Sequence, residues 1–159
     1  RLHPYTTRDR LARMACFMSH YKLWRMALIQ PLLILEDDAV FVATFDPSDV
    51  MESPHIIVGI NDPRGATRKS DRFHVGVQSA PGTREIVDVP WVDTPEVPQG
   101  LAGASAYLVK PAGAWHATNR VRDLGAWPND AILCKQLVPL LGCTRTYFTR
   151  VQRTPSTLA

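Results

Sequence analysis

Apolar and polar positions follow one another along the chain in blocks that predict helices and short buried strands in turn. From residue 6 or 7 to residue 29, apolar side chains recur at three- and four-residue steps, which is typical of an amphipathic helix. Thr6 and Asp9 resemble a capping box at the start of this helix, and Pro31 ends it. The aliphatic run at 32–35 then indicates a buried strand, because it is short, continuous and bounded by polar or turn residues.

The middle of the chain predicts strands separated by a long loop. Residues 55–60 form a second short apolar run, which indicates another buried strand. Residues 61–72 mix glycine, proline and basic side chains, and they fit either a mobile binding loop or a variable connection. Between 73 and 92, Val75 and Val77 alternate with polar positions, which predicts a β-hairpin or two edge strands.

A strand and a second helix come next. Small residues from Gly100 onward lead into the apolar run 106–109, which predicts a strand whose start lets a ligand or a packed helix approach closely. Residues 111–124 begin with proline and carry apolar side chains at helical spacing, and Gly125 ends the pattern.

The end of the chain predicts a third helix and a last strand. Asn129 or Asp130 would be the N-cap of the helix, which continues to residue 138. Residues 147–152 have the composition of a strand. Helices that alternate with short buried strands indicate an α/β fold with a mixed, mainly parallel sheet flanked by helices.

Composition describes an ordinary globular domain. With 159 residues, 45% apolar and 21% charged, the chain is expected to form one domain and is not typical of a disordered protein. The net charge of +3 suits a phosphate-bearing ligand. It is not evidence for nucleic-acid binding, because proteins that bind nucleic acids usually have a clustered basic face. We expect no membrane span and no signal peptide, because no apolar run approaches the length needed.

The cysteines do not form a recognisable motif. Cys16, Cys134 and Cys143 match no zinc-binding spacing, and their odd number does not suggest a disulfide framework. We therefore expect buried free thiols and a cytoplasmic location.

Three adjacent acids directly follow the first predicted strand. Glu36, Asp37 and Asp38 would repel one another, and burying a carboxylate without a partner costs free energy. A Mg²⁺ or Mn²⁺ ion removes both problems and leaves coordination sites for phosphate. Since ligands bind at the carboxyl ends of strands in sheets of this class, the triplet predicts a metal–phosphate site, with a solvated acidic turn as the alternative.

Taken in order, several segments resemble glycosyltransferase family 25, the lipooligosaccharide and collagen-type galactosyltransferase group. The most specific matches are 16–24, which contains Ser-His, and 33–39, which contains the acidic triplet. Residues 103–109 and 128–130 and a glutamine at 152 match in the same order.

The resemblance implies a GT-A-like, Rossmann-related fold and a single domain over residues 1–159 that lacks the family's N-terminal first strand. It also implies a nucleotide-sugar donor, expected to be a UDP-sugar, held through Mn²⁺ or Mg²⁺. Asp38 would be the direct metal ligand, and Asp37 would touch the metal or the ribose. Glu36, Ser19 and Gln152 would complete the donor site.

Two further residues are candidates for catalysis under this resemblance. Asp130 would be the general base near the acceptor. His20 would position the acidic strand, although a lone histidine on a mostly apolar helix is more often a hydrogen-bonded core residue.

The implied reaction is metal-dependent transfer of a sugar to a hydroxyl acceptor such as a glycan. An alternative acceptor for the same reaction is a hydroxylated base in DNA. The loop cations Arg64, Arg68 and Lys69 would suit binding to its phosphate backbone. Two alternatives from other classes stay open. One is a degenerate, non-catalytic binding protein of the same fold, and the other is a nucleotidyltransferase or phosphohydrolase that uses two metals.

Overall fold

The computed structural model describes residues 10–66 and 69–152. The first helix, α1, spans Arg10–Met26 and buries Phe17, His20 and Trp24 along one face. The predicted helix is therefore confirmed in this range, while the capping box of Thr6 and Asp9 lies outside the described residues.

The remaining elements are short and follow one another closely. In chain order these elements are β1 (Leu32–Leu35), β2 (Ala39–Phe41), α2 (Ser48–Glu52), β3 (Ile57–Gly59), α3 (Ser70–Gln78), β4 (Ile86–Asp88), β5 (Ala106–Val109), α4 (Pro111–Leu124), α5 (Asn129–Ile132), β6 (Leu141–Thr144) and β7 (Thr149–Val151). No helix in the described part of the chain is long and apolar enough to cross a membrane.

The main sheet of the described residues has five strands in the order β1-β5-β3-β6-β4. Three of its four pairings are antiparallel in this part of the chain, and β3 with β6 is the parallel one. The α/β class and the mixed sheet flanked by helices are confirmed, but the expectation of a mainly parallel sheet is wrong. Strand β5 is buried along its whole length, and a strand buried on both faces shows the same continuous apolar run in either orientation.

A second, two-stranded sheet lies beside the main one. In it β2 pairs antiparallel with β7, with Ala39 opposite Val151 and Phe41 opposite Thr149. Since β1 belongs to the main sheet and β2 to this one, the acidic triplet is the connection between the two sheets.

The core lies between the main sheet and the helices α1 and α4. Trp24 and Tyr107 are the largest of its fully buried side chains. Helix α4 approaches the sheet closely at Gly113, where a Cβ atom would come within 2.4 Å of the Ile56 carbonyl oxygen. This close contact fixes α4 over β3.

The predicted hairpin between 73 and 92 is wrong in its first half, which is the helix α3. Phe73 and Val77, four residues apart, are buried, whereas Val75 is 61% exposed. The buried face of α3 is therefore formed by Phe73 and Val77 at helical spacing, and Val75 lies on the solvent side. Two apolar residues two positions apart, such as Val75 and Val77, do not by themselves distinguish a strand from a helix. The second half contains β4 as predicted.

The chain around Asn129 also differs from the expectation. Helix α5 ends at Ile132, its N-cap is Pro128, and no side chain caps it, so the predicted capping role of Asn129 or Asp130 is wrong. The following strand, β6, was not predicted, because it is short and contains Gly142. That glycine is required by packing, since a Cβ there would meet the His55 ring at 2.6 Å.

Candidate functional site

The acidic triplet forms a turn that is held to the main sheet by its backbone. The N–H of Glu36 donates to the carbonyl oxygen of Ser105 at 2.8 Å, and the N–H of Ala39 donates to the carbonyl oxygen of Glu36 at 3.1 Å. On the other side, the N–H of Gln152 donates to the carbonyl oxygen of Asp38 at 2.8 Å. Backbone hydrogen bonds therefore fix both ends of the turn, one to Ser105 next to β5 and one to Gln152 next to β7.

A cavity of about 940 Å³ opens beside this turn. Its walls carry both acidic and basic side chains together with hydroxyl and amide groups, a combination that can bind a ligand with phosphates and sugar hydroxyls. The residues that matter for this chemistry are Glu36, Asp62, Arg64, Ser105, Arg150 and Gln152.

The two arginines of the cavity differ in their partners. Arg64 forms a bidentate ion pair with Asp62, with Nη2 to Oδ2 at 2.7 Å and Nε to Oδ1 at 2.9 Å. These hydrogen bonds hold the pKa of Asp62 below its usual range. Arg150 is exposed on β7 and adds a positive charge to the same cavity.

Ser105 contributes a hydroxyl that has no hydrogen-bond partner among the described residues, although the side chain is 1% exposed. The small residues before it permit a close approach of the 61–66 loop: a Cβ on Gly103 would lie 2.4 Å from the Cβ of Ala66. At Gly103 the small-residue start of the predicted strand therefore accommodates a loop. At Gly100 it accommodates a packed helix, because a Cβ there would lie 2.6 Å from the carbonyl oxygen of Asp130 in α5.

Asp38 carries another polar atom that lacks a partner in the described chain. Its Oδ1 is buried, and burial raises the pKa of the carboxyl, with further increases from the charges of Glu36 and Asp37. A divalent cation would supply the missing positive charge, and carboxylate oxygens are the ligands that Mg²⁺ and Mn²⁺ prefer. Asp38 and its exposed neighbour Asp37 thus fit a hard metal ion.

A buried chain of hydrogen bonds connects the carboxylate of Glu36 to the core. The indole N–H of Trp24 donates to the Tyr107 hydroxyl at 2.8 Å, and the hydroxyl lies 2.7 Å from Nδ1 of His20. His20 Nε2 in turn lies 3.3 Å from Oε1 of Glu36. All of these groups are satisfied if the phenol donates to Nδ1, which places the imidazole proton on Nε2 and directs it at Glu36.

Burial has a clear effect on the phenol in this chain. Desolvation raises the pKa of Tyr107 far above its usual range, so the hydroxyl keeps its proton. His20 is 4% exposed, and its ring contacts Tyr107, Glu36 and the ring of Trp24.

Asp130 lies apart from the cavity that Glu36 lines. It borders a second cavity of about 310 Å³, together with Lys69, Asp93 and Gln99. The residue is exposed at the surface, but protein atoms around its carboxyl raise its pKa by desolvation, and the charge of Glu36 adds to the rise. Asp130 and Glu36 therefore interact electrostatically although they line different cavities.

Ser19 and Gln152 have different surroundings. Ser19 is exposed on α1, and its hydroxyl donates to the carbonyl oxygen of Ala15 at 3.0 Å, away from both cavities described above. Gln152 lines the larger cavity next to Val151, as the sequence-based prediction would require of a ligand-binding residue.

Four residues of the site are absent from the sequence-based prediction. Asp62, Ser105 and Arg150 line the cavity, and Tyr107 anchors His20. The signal for Tyr107 was present, because a tyrosine inside an otherwise aliphatic strand needs a partner for its hydroxyl. Ser105 and Arg150 carry no comparable signal in a single sequence.

The segment that holds helix α1, the acidic triplet and α2 is also the one that resembles known proteins. Residues 9–52 match the family model of glycosyltransferase family 25 (LPS biosynthesis protein). This match confirms the resemblance found from the sequence over these residues, and it supports a glycosyltransferase. No curated protein and no solved structure gives a significant match to the chain.

The family 25 match separates the predicted site residues into two groups. Ser19, His20 and the triplet 36–38 lie inside the matched segment. Asp130 and Gln152 lie outside it, and so do the walls of the cavity contributed by the loop at 61–66 and by β7.

Proposed function

We propose that the protein is a metal-dependent glycosyltransferase that moves a sugar from a nucleotide-sugar donor, expected to be a UDP-sugar, to the hydroxyl group of a glycan or a similar acceptor. The observation that carries this proposal is the unpartnered, buried Oδ1 of Asp38 in the segment that matches family 25, beside a cavity that Glu36 lines.

The cavity supports the donor part of the proposal. Its volume of about 940 Å³ falls in the range of small-molecule and cofactor sites. Arg150 and the Ser105 hydroxyl would donate to phosphate oxygens, and Gln152 offers both donor and acceptor groups to a sugar or ribose. The Ser105 hydroxyl would thereby gain a partner on binding.

Asp38 and Asp37 would hold a Mn²⁺ or Mg²⁺ ion. When bound, the ion would neutralise the negative charge that develops on the departing nucleotide diphosphate. The protein's own part is to keep Glu36 oriented through His20 and Tyr107, and to fix the triplet between its two sheets.

Asp130 is proposed as the general base. A base must take the proton from the acceptor hydroxyl, and this transfer is most effective when the pKa of the base lies near the working pH. The upward shift of the Asp130 pKa moves it in this direction. The acceptor would then enter through the smaller cavity that Asp130 borders with Gln99 and Lys69.

The test is thermal stabilisation of the wild type and Asp38→Asn by UDP-sugars, each with and without Mn²⁺. A donor at a hundredfold excess over its dissociation constant raises the free energy of unfolding by about 2.7 kcal/mol. We expect a shift that requires Mn²⁺ and is lost in Asp38→Asn, while Glu52→Gln, an exposed acid of α2, keeps it. A shift that persists in Asp38→Asn, or none with any donor, would contradict the proposal.

The cations of the described loop give little support to DNA as the acceptor of the proposed reaction. Arg64 is paired with Asp62, and Lys69 forms an ion pair with Asp93, so both loop charges are already neutralised. Arg68 lies outside the described residues. Salt-dependent retention of DNA by the protein would be the result that restores this version.

A further inference from the structure

Three side chains with different ligand atoms come together at the start of the acidic triplet, and one of them is the first acid of the triplet. They are the thiol of Cys16, the imidazole of His20 and the carboxylate of Glu36, and one ligand atom from each lies within 4.8 Å of the others. Cys16 and His20 are four residues apart on α1 and so share one face of the helix, while Glu36 follows the last residue of β1. The cluster therefore joins two elements that are separate in the chain.

We infer that Cys16, His20 and Glu36 form a Zn²⁺ site, distinct from the hard-metal site proposed at Asp38. Thiolate, imidazole and carboxylate are the ligands that proteins use for zinc, and thiolate in particular disfavours Mg²⁺ and Mn²⁺. Two ligands on a tetrahedral zinc ion, with bonds of about 2.0–2.1 Å, lie about 3.3 Å apart. His20 Nε2 and Glu36 Oε1 already have this separation, at 3.3 Å.

The surroundings of the cluster match those of a metal site. A histidine that binds metal through one ring nitrogen normally has its other ring nitrogen fixed by a hydrogen bond, which sets the orientation of the ring. Nδ1 of His20 lies 2.7 Å from the Tyr107 hydroxyl, and the ring is stacked on the phenol. Nε2 is therefore the nitrogen left to face Cys16 and Glu36. When zinc binds there, Nε2 gives up the proton that it carries without metal, and the ring takes the tautomer whose Nδ1–H donates to the Tyr107 oxygen.

The sulfur also has a supporting group. The Cys16 thiol donates to Oδ1 of Asn129 at 3.9 Å. If the thiol proton is replaced by zinc, rotation of the Asn129 amide presents its NH₂ group to the sulfur, because the two ends of an amide have the same shape. The proton leaves to solvent, so zinc binding weakens as the pH falls.

The local charge favours a cation. Glu36, Asp37 and Asp130 are close enough to act electrostatically on Cys16, and Arg13 is the positive charge that opposes them. Three protein ligands leave a fourth tetrahedral position, which solvent can fill because Cys16 and Glu36 are both partly exposed. Zinc would thus tie helix α1 to the end of β1, independently of whether the protein transfers sugars.

Cobalt titration tests the site directly, since Co²⁺ replaces Zn²⁺ and a thiolate bound to it gives a charge-transfer absorption band. We expect the wild type to bind one equivalent of Co²⁺ with this band and to release it on addition of Zn²⁺. Cys16→Ser should lose the band although Cys134 and Cys143 remain, and Met18→Ala, an exposed change on the same helix, should keep it.

Two further variants separate this site from the others. Glu36→Gln should weaken cobalt binding by about tenfold or more, and it serves in place of Cys16→Ser if that variant does not fold. Asp38→Asn should keep the band, even where it abolishes the Mn²⁺-dependent response to donors. The absence of a thiolate band in the wild type, or its survival in Cys16→Ser, would overturn the zinc site and leave the cluster as a hydrogen-bonded network.

Discussion

The hydroxyl of Tyr107 lies 2.7 Å from Nδ1 of His20, and this contact joins strand β5 to helix α1. Because Trp24 donates to the same oxygen at 2.8 Å, one phenol serves two buried groups of the helix. The imidazole extends the contact to Glu36. The orientation of the first acid of the triplet is therefore set from the neighbouring strand of the sheet.

Removal of this hydroxyl should destabilise the protein. Tyr107→Phe leaves the Trp24 indole N–H and His20 Nδ1 buried without their partner, and the cost of such groups is about 1–3 kcal/mol. We expect a loss of this size in the free energy of unfolding, measured by urea denaturation. Tyr21→Phe, at a half-buried tyrosine of α1, is the control and should change the stability by less. Equal effects of the two variants would contradict the hydrogen-bonded link.

Ser105 should show the opposite sign. Its buried hydroxyl has no partner among the described residues, so Ser105→Ala removes a desolvated polar group and should raise the free energy of unfolding by about 1 kcal/mol without ligand. If the hydroxyl binds a donor phosphate, the same variant binds the donor more weakly. Ser70→Ala is the control: its hydroxyl accepts from the N–H of Gly65 at 3.1 Å, so the loss should destabilise. A destabilised Ser105→Ala would contradict this account.

The stability of Asp38→Asn relative to the wild type should depend on pH. The pKa of Asp38 is raised above 3.8 in the folded protein, so its contribution to stability is present below that value and is lost as the pH rises through the folded pKa. Without metal, Asp38→Asn should therefore be the more stable protein at pH 7, and the difference should vanish at low pH.

Denaturation of both proteins in EDTA across the acidic range measures this difference. Asp62→Asn is the matched control with the opposite sign, because Arg64 lowers the pKa of Asp62. Its ionised form stabilises the fold, so this variant should be less stable than the wild type at pH 7 and approach it as the pH falls. A pH-independent advantage of Asp38→Asn would show that its charge is not the cause.

The packing of α4 on the sheet can be tested at Gly113. Alanine favours a helix by about 0.8–1.0 kcal/mol over glycine, but its Cβ would lie 2.4 Å from the Ile56 carbonyl oxygen. Overpacking of this kind costs about 1–3 kcal/mol, so we expect Gly113→Ala to be destabilising in chemical denaturation. Ala112→Gly, at the exposed neighbouring position, calibrates the helix propensity alone. A stabilised Gly113→Ala would mean that α4 is not held against β3.

The sequence predicts elements best where local and tertiary preferences agree. Helix α4 has proline at its first position and Gly125 at its C-cap, and both ends are as predicted. Helix α3 was missed because the apolar positions near Val75 fit a strand as well as a helix. Strand direction was also beyond the sequence, since the orientation of β5 depends on long-range pairing and leaves no local pattern.

The same distinction applies to the site. The triplet after β1 was found because three adjacent acids beside an apolar run are chemically conspicuous. Its cavity, however, needs Arg64 and Ser105, which approach only after the chain has folded. The spacing of the cysteines showed no zinc motif, yet folding brings Cys16 to within 4.8 Å of His20 and Glu36. Short-range spacing reveals only sites whose ligands are close in sequence.

The pairing of β1 with β5 has a consequence for experiments on the segment that matches family 25. Residues 9–52 include β1, but the residues opposite it, Ala106 to Val109, lie far outside that range. Trp24 likewise depends on Tyr107. The matched segment is thus not an autonomous cassette: cut out or grafted into another protein, it would carry the sequence signature of the family without the backbone partners that give the signature its shape.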